Sequence, residues 1–170
     1  NQKTQLAVKA PEHLWNLNVL LKVFPSARIV MTHRDPLQAI GSYSSMISMF
    51  RRTAYKTTCF KDLGPYVTDV FQKGLKRSYK ARKNKSDNKN IVDVHCKDIQ
   101  NNPITTFKSV CRKLKINVDE KASENLKKWI KKKKNDSPDR HKYSYSTYGV
   151  SKSGVEKKFQ FYDHKKYINN

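Results

Sequence analysis

Apolar residues recur at helical spacing over most of this 170-residue chain and run together over two short stretches. Gln5 to Val8 reads as a short strand. After Pro11, a residue tolerated in a first helical turn, Leu14, Leu17, Leu20, Leu21 and Phe24 fall on one side of a helix that Phe24-Pro25-Ser26 ends. Ile29, Val30 and Met31 form a continuous apolar run within residues 27–32, the pattern of a strand buried on both faces. Asp35 is a natural N-cap and Pro36 suits the first helical position, so a helix begins there. Its core side carries Leu37, Ile40, Tyr43, Ser44, Ile47 and Phe50. A further helix over Pro65 to Arg82 turns Val67, Val70, Phe71 and Leu75 inward, and a polar loop over residues 83–90 leads to a strand at Ile91 to Val94. Asn102-Pro103 opens a helix with Phe107, Val110, Cys111 and Leu114 in contact positions. Another, near Glu120 to Lys134, holds Leu126, Trp129 and Ile130. Residues 136–149 read as irregular. Ser151 caps a last helix bearing Val155, Phe159 and Tyr162 and reaching toward Tyr167.

Strands separated by helices predict parallel βαβ units covered by helices, in a single domain over residues 1–170. A chain of this length buries roughly 70% of its unfolded surface. With 36% hydrophobic and 11% aromatic residues it lacks the composition of a disordered chain. No apolar run approaches the ~20 residues of a membrane span, and Asn1 to Lys9 lacks the apolar centre of a signal peptide. The first residue is Asn rather than Met, so a preceding portion is expected. The net charge of +22 favours polyanionic partners, although much of it reflects a Lys- and Asn-rich bias that solvates the surface. Lys outnumbers Arg, whereas bidentate phosphate recognition prefers Arg. Cys59, Cys96 and Cys111 are odd in number and lack metal spacing, which points to free thiols in a reducing, cytoplasmic setting and to no bound metal.

Ligands of open parallel sheets collect at the carboxyl ends of the strands. That rule selects Lys9 to His13 and His33 to Ser45. Arg34 leaves a strand just before a helix N-terminus, whose amides and dipole favour an anion. Ser42 lies more than a turn into that helix, away from the Leu37–Ile40–Ile47 face and on a polar side with Gln38 and Ser45. An Arg fork, helix amides and a hydroxyl together suit a phosphate. Spacing alone favours the plainer reading, since Arg-Asp-Pro is a common way to begin a helix.

The stretch His33-Arg-Asp-Pro-Leu-Gln-Ala-Ile-Gly-Ser42 resembles the 3′-phosphate-binding segment of PAPS-dependent sulfotransferases, in which an Arg at a strand end and a Ser eight positions later hold the donor's 3′-phosphate. Lys9-Ala-Pro-Glu-His13-Leu14, followed by Leu20-Leu21 and Phe24-Pro25-Ser26-Ala27-Arg28, is similar to another segment of the broad bacterial and eukaryotic branch of that family. Ile91 to Ile99 with Asn102-Pro103, and His141-Lys-Tyr-Ser144 through Gly149-Val150 and Phe159 to Tyr162, are similar to later ones. The likeness runs from about Lys9 to Tyr162. It implies an α/β fold, a P-loop-NTPase-like parallel sheet flanked by helices, incomplete at the N-terminus. It also implies transfer of a sulfonate group from PAPS to a hydroxyl or amine acceptor, with no metal. Arg34 and Ser42 would grip the 3′-phosphate. His13 would take the acceptor's proton, as a group titrating near ~6.5 can, and Lys9 would neutralise charge on the leaving phosphate. Arg140, His141 and Lys142 would add cations around the PAP moiety. For His13 and Lys9 a solvated side chain without a ligand is an equally simple reading, and a charged loop at 140–142 needs no further explanation.

Two departures from the family stand out. The glycine-bearing loop that wraps the donor's 5′-phosphosulfate with backbone amides is absent from these 170 residues, so the chain reads as a fragment or as a degenerate copy with half a donor site. Cys96 also stands where the family strand places a Tyr near the adenine ring. The main rival function is a basic domain that binds nucleic acid or another polyanion without catalysis, which the charge would explain directly. Dispersed basic residues and the lack of RRM, KH or zinc signatures speak against nucleic acid. A non-catalytic remnant that only binds partners is a second rival. A P-loop kinase would need a Walker lysine and Mg²⁺ carboxylates that are not found. The basic surface would suit an anionic acceptor.

Overall fold

The computed structural model describes residues 6–56, 59–83, 90–135 and 143–168. The element order begins with helices α1 (Glu12–Trp15) and α2 (Leu17–Val23), strand β1 (Ile29–His33), and the long helices α3 (Pro36–Tyr55) and α4 (Leu63–Lys83). Strand β2 (Ile91–His95) follows, then α5 (Cys96–Asn101), α6 (Pro103–Lys113), α7 (Glu120–Asn135), a 3₁₀ turn at Ser146–Tyr148, α8 (Lys152–Lys158) and a second 3₁₀ turn at Lys165–Tyr167. β1 and β2 pair in parallel, Ile29 opposite Ile91 through His33 opposite His95, so both strands end at the same level. This is the βαβ unit expected from the order of elements, with α3 and α4 in the crossover.

The register sorts the strand side chains into two faces. Met31, His33, Ile91, Asp93 and His95 look one way, toward the main core built by Leu17, Leu21, Ile40, Leu63, Val67, Leu75, Val155 and Phe159. Val92 and Val94 look the other way and pack against Leu114, Val110 and Ile116 at the C-terminal part of α6 and just beyond it. The sheet is therefore sandwiched between helices over β2. Over β1 the second face is open: Val30 is 45% exposed and Thr32 is exposed as well. The apolar run Ile29-Val30-Met31 thus does not mark a strand buried on both sides, because among the described residues nothing covers its outer face.

Local chemistry accounts for the elements. The Asp35 carboxylate accepts from the amides of Leu37 (2.8 Å) and Gln38 (3.4 Å), and Pro36 takes the first helical position, as the sequence predicts. Ser151 caps α8 through the Gly154 amide at 3.1 Å. The single helix expected from Leu14 to Phe24 is two. At Asn16 the backbone leaves the helical region (φ −117°, ψ 27°) while its side-chain amide donates to the Glu12 carbonyl at 3.2 Å, one way in which Asn competes with helix continuity. Residues 6–8 of the strand expected over Gln5 to Val8 have no regular structure, and Gln5 lies outside the described residues. α5, which periodicity missed, is too short to show a repeat. α8 stops at Lys158, so Tyr162 and Tyr167 belong to the segment beyond it.

Phe50, expected on the core side of α3, is largely exposed, as are Phe24 and Trp129 from the apolar stripes of their helices. Ser45, expected on the polar side of α3, is instead buried with Ser44 and Ser48, where Ser48 donates to the Ser45 carbonyl at 2.7 Å. Among the described residues no helix is long and apolar enough to cross a membrane.

Candidate functional site

Parallel pairing brings the ends of β1 and β2 together, and the chain leaves each strand into a helix. Arg34 and Asp35 lie between β1 and α3, while Cys96 opens α5 directly after His95. A cleft forms at these ends. Arg34, Asp35 and Gln38 line one side, His95, Cys96, Lys97 and Gln100 another, and His164 and Lys165 of the C-terminal segment complete it. Arg34 Nε donates to Gln38 Oε1 at 3.2 Å. Among the described residues no carboxylate lies within ion-pairing distance of the Arg34 guanidinium. An arginine held by its Nε alone keeps its terminal N–H groups for a ligand.

The level of Arg34 is set by a polar relay behind it. Arg82 from α4 forms a two-pronged ion pair with Asp93 of β2, 2.7 Å at each oxygen. Asp93 Oδ1 also accepts from His33 Nε2 at 2.7 Å, and His33 Nδ1 meets the Tyr162 hydroxyl at 2.9 Å. Tyr162 in turn lies beside the backbone of Arg34. His33 is fully buried, and its ring stacks on Tyr167 with centroids 3.5 Å apart. Burial pushes the Asp93 carboxyl up. The hydrogen bonds from His33 and Arg82 together outweigh that and hold it well below the usual carboxylate range. Burial also raises the Tyr162 hydroxyl, so it stays protonated beside His33 Nδ1.

The rim of the cleft holds a second histidine pair. His95 Nδ1 accepts from the Lys97 amide at 3.1 Å, and His95 Nε2 lies 3.1 Å from His164 Nδ1. Burial raises the Cys96 thiol despite the nearby Arg34, so it is a neutral thiol at pH 7 rather than a nucleophile. Cys96 does line the cleft, and the place where the resembled segment carries a Tyr is thus at the candidate site.

Ser42 is half-buried in α3, one turn beyond Gln38 on the same side of the helix and about 6 Å further along its axis at ~1.5 Å per residue. It is not among the cleft-lining residues. Ser42 thus stands on the side of α3 that carries Gln38, and the cleft reaches Arg34 and Gln38 but not Ser42. Gly41 beside Ser42 is required by close packing: a Cβ there would stand 2.5 Å from the Tyr145 ring and 2.6 Å from that of Tyr143. Tyr143 also donates to the Gln38 carbonyl at 3.2 Å. These contacts, with Tyr148 buried against Ser48 at 3.4 Å, explain the aromatic run from Tyr143 to Tyr148.

The helix amides contribute less than expected. Those of Leu37 and Gln38 are occupied by Asp35, so side chains rather than the α3 N-terminus must hold an anion here. Lys9 is exposed in the irregular segment before α1, and His13 is half-buried within α1, which packs on α4; neither lines the cleft. Arg140, His141 and Lys142 lie outside the described residues. Sequence reading missed Asp93, Arg82, His95, Lys97, His164 and Lys165. The one legible signal was Asp93, a charged residue inside an otherwise apolar strand. Among the described residues no cluster of three His, Cys, Asp or Glu could hold a metal ion.

A search of curated proteins by sequence finds no match. Solved structures do. The crystal structure of sulfotransferase STF9 from Mycobacterium avium superposes with a TM-score of 0.77 at 19% identity, over 91% of this chain and 40% of that one. That of sulfotransferase STF1 from Mycobacterium tuberculosis H37Rv gives 0.73 at 23% identity, over 91% and 39%. The chain thus spans about two-fifths of the length of those structures, and the fold is that of the sulfotransferases, a P-loop-NTPase-like α/β sheet flanked by helices. A sequence match described as "Sulfotransferase family" covers residues 1–120, which take in Arg34, Ser42 and Cys96, and with more than half of its length matched the chain belongs to the sulfotransferase family.

Proposed function

We propose that the chain serves transfer of a sulfonate group from PAPS to a hydroxyl or amine acceptor, with the cleft at the strand ends receiving the phosphate-bearing side of the donor. The observation that carries this reading is Arg34. Its guanidinium stands at the ends of two parallel strands, free of any described carboxylate, in a cleft where Arg34, Lys97 and Lys165 outnumber the single acid Asp35. Cations of this kind suit a doubly charged phosphate monoester. PAPS, when bound, supplies a sulfonate activated by its phosphate leaving group.

In this reading Arg34 and Ser42 hold the 3′-phosphate. The relay through Asp93, His33 and Tyr162 keeps Arg34 at its level, so the charge meets the ligand without reorganising. His13 accepts the acceptor's proton, and Lys9 offsets charge on the leaving phosphate. Arg140, His141 and Lys142 add cations near PAP. Positioning and charge stabilisation carry most of such a transfer. The thiols Cys59, Cys96 and Cys111 form no disulfide, which suits a reducing, cytoplasmic setting.

Calorimetry with PAP tests the reading. Arg34→Ala is expected to weaken binding by about 1.5–3 kcal/mol, the loss of one charge-assisted contact, or roughly 10- to 150-fold. Equal affinity in both proteins overturns it. A second reading, binding of a polyanion without catalysis, has the net charge of +22 in its favour. It predicts retention on heparin that collapses with modest salt, in a protein that does not bind PAP.

A further inference from the structure

The segment beyond α8 does more than back Arg34 through Tyr162: three of its side chains reach the strand ends. Tyr162 contacts His33 and the Arg34 backbone, Tyr167 stacks on His33, and His164 meets His95. Of this segment, His164 and Lys165 line the cleft itself.

The hydrogen bonds fix where the imidazole protons sit. The Lys97 amide can only donate, so His95 Nδ1 must accept from it, and neutral His95 then carries its proton on Nε2. Burial keeps His95 neutral. His95 Nε2–H therefore donates to His164 Nδ1 across 3.1 Å. With Nδ1 accepting, the proton of neutral His164 sits on Nε2. His95 thus presents His164 as a hydrogen-bond donor and not as a base. A donor among the cations of Arg34, Lys97 and Lys165 fits an oxyanion and neither a metal ion nor an apolar group.

We propose that His164 Nε2–H, oriented by His95, and the Lys165 ammonium form a second grip on a phosphate group of the nucleotide, so that the C-terminal segment closes the anion site that Arg34 opens. This rests on the PAPS reading above. His164 would touch the ligand, while His95 acts through it as a positioning residue. The competing explanation is that the two rings only pack on each other.

Calorimetry with PAP and with inorganic pyrophosphate on wild type, Arg34→Ala, His164→Phe and His164→Gln separates these. Phe fills the ring's space without a donor, whereas the Gln amide returns an N–H near the position of Nε2. The expected result is an approximately tenfold loss of affinity for both probes in His164→Phe, recovered to within about threefold in His164→Gln. If His164→Phe binds PAP as wild type does while Arg34→Ala is weakened, the second grip is overturned and the function reading stands. If His164→Gln is as weak as His164→Phe, the ring was only packing, which also overturns it. If PAP binding ignores Arg34→Ala, the function reading falls, and the grip stands or falls by whether pyrophosphate binding depends on His164. A wild-type chain that binds neither probe overturns both.

Discussion

Asp93 shows how a single residue ties the core to the site. It lies in the middle of β2 on the face toward the main core, and it takes two bonds from Arg82 and one from His33. Replacing it with Asn removes the carboxylate charge that the Arg82 guanidinium, 22% exposed, meets at two oxygens. Loss of one partner of a fully buried pair costs ~3–5 kcal/mol. Partial exposure lowers the expectation for Asp93→Asn to about 2–3 kcal/mol, measurable by urea denaturation at pH 7. The pH dependence has a definite sign. The folded carboxyl is depressed, so its contribution is fully present above the unfolded-chain value of ~4. It is lost as pH falls from there through the lower folded value. The stability gap between wild type and Asp93→Asn should hold constant from pH 7 to about pH 5 and narrow steadily below ~4; a gap that widens on acidification contradicts this. The importance of Asp93 was half legible. A charge in an apolar strand needs a partner, but nothing in the order of residues says that the partner is Arg82, on the helix before the strand, or that His33 shares it.

At the scale of elements, capping chemistry was the most reliable guide. Asp35 with Pro36, and Ser151, were readable because a cap is a contact between residues two or three apart. Asp35→Ala should destabilise the chain by about 1 kcal/mol, and Asp35→Asn by only a few tenths, since Asn caps nearly as well. Thermal melting of the two variants checks this, and equal losses would mean that the charge rather than the cap matters. Periodicity placed α3, α4, α6 and α7 correctly, yet misjudged which of their apolar residues are covered. Phe50 and Trp129 fall on the right stripe and still face solvent, because a stripe turns inward only as far as a neighbouring element extends. The same holds for β1, where an apolar run suggested two covered faces and the packing supplies one.

Across the whole molecule, cohesion is uneven. α3, α4, the two strands and the segment from Tyr143 to Ile168 share one core and one relay, whereas among the described residues α7 packs mainly on α6. Trp129 on α7 is 56% exposed amid lysines. Regions with few buried apolar contacts open locally at low cost. Hydrogen exchange followed by NMR or mass spectrometry should find the α7 amides exchanging well before those of α4 and β2, which should approach the global unfolding limit; uniform protection would show α7 to be part of one cooperative unit. The C-terminal segment is expected among the slower group despite its short elements, since Tyr162 and Tyr167 close over the buried His33.

The sequence by itself settled what depends on near neighbours along the chain: the helix starts at Pro36 and Lys152, the alternation of strand and helix, and the likeness around Arg34 that carries the family. These are legible because caps, periods and short motifs act over a few residues. The tertiary structure alone decided that His95, Lys97, His164 and Lys165 gather around Arg34, that Asp93 bridges Arg82 and His33, and that the α3 amides are already taken by Asp35. Those facts depend on pairs such as His33 and Tyr162, 129 positions apart. Such distant groups meet only once the strands have set their register, and no local pattern records that meeting.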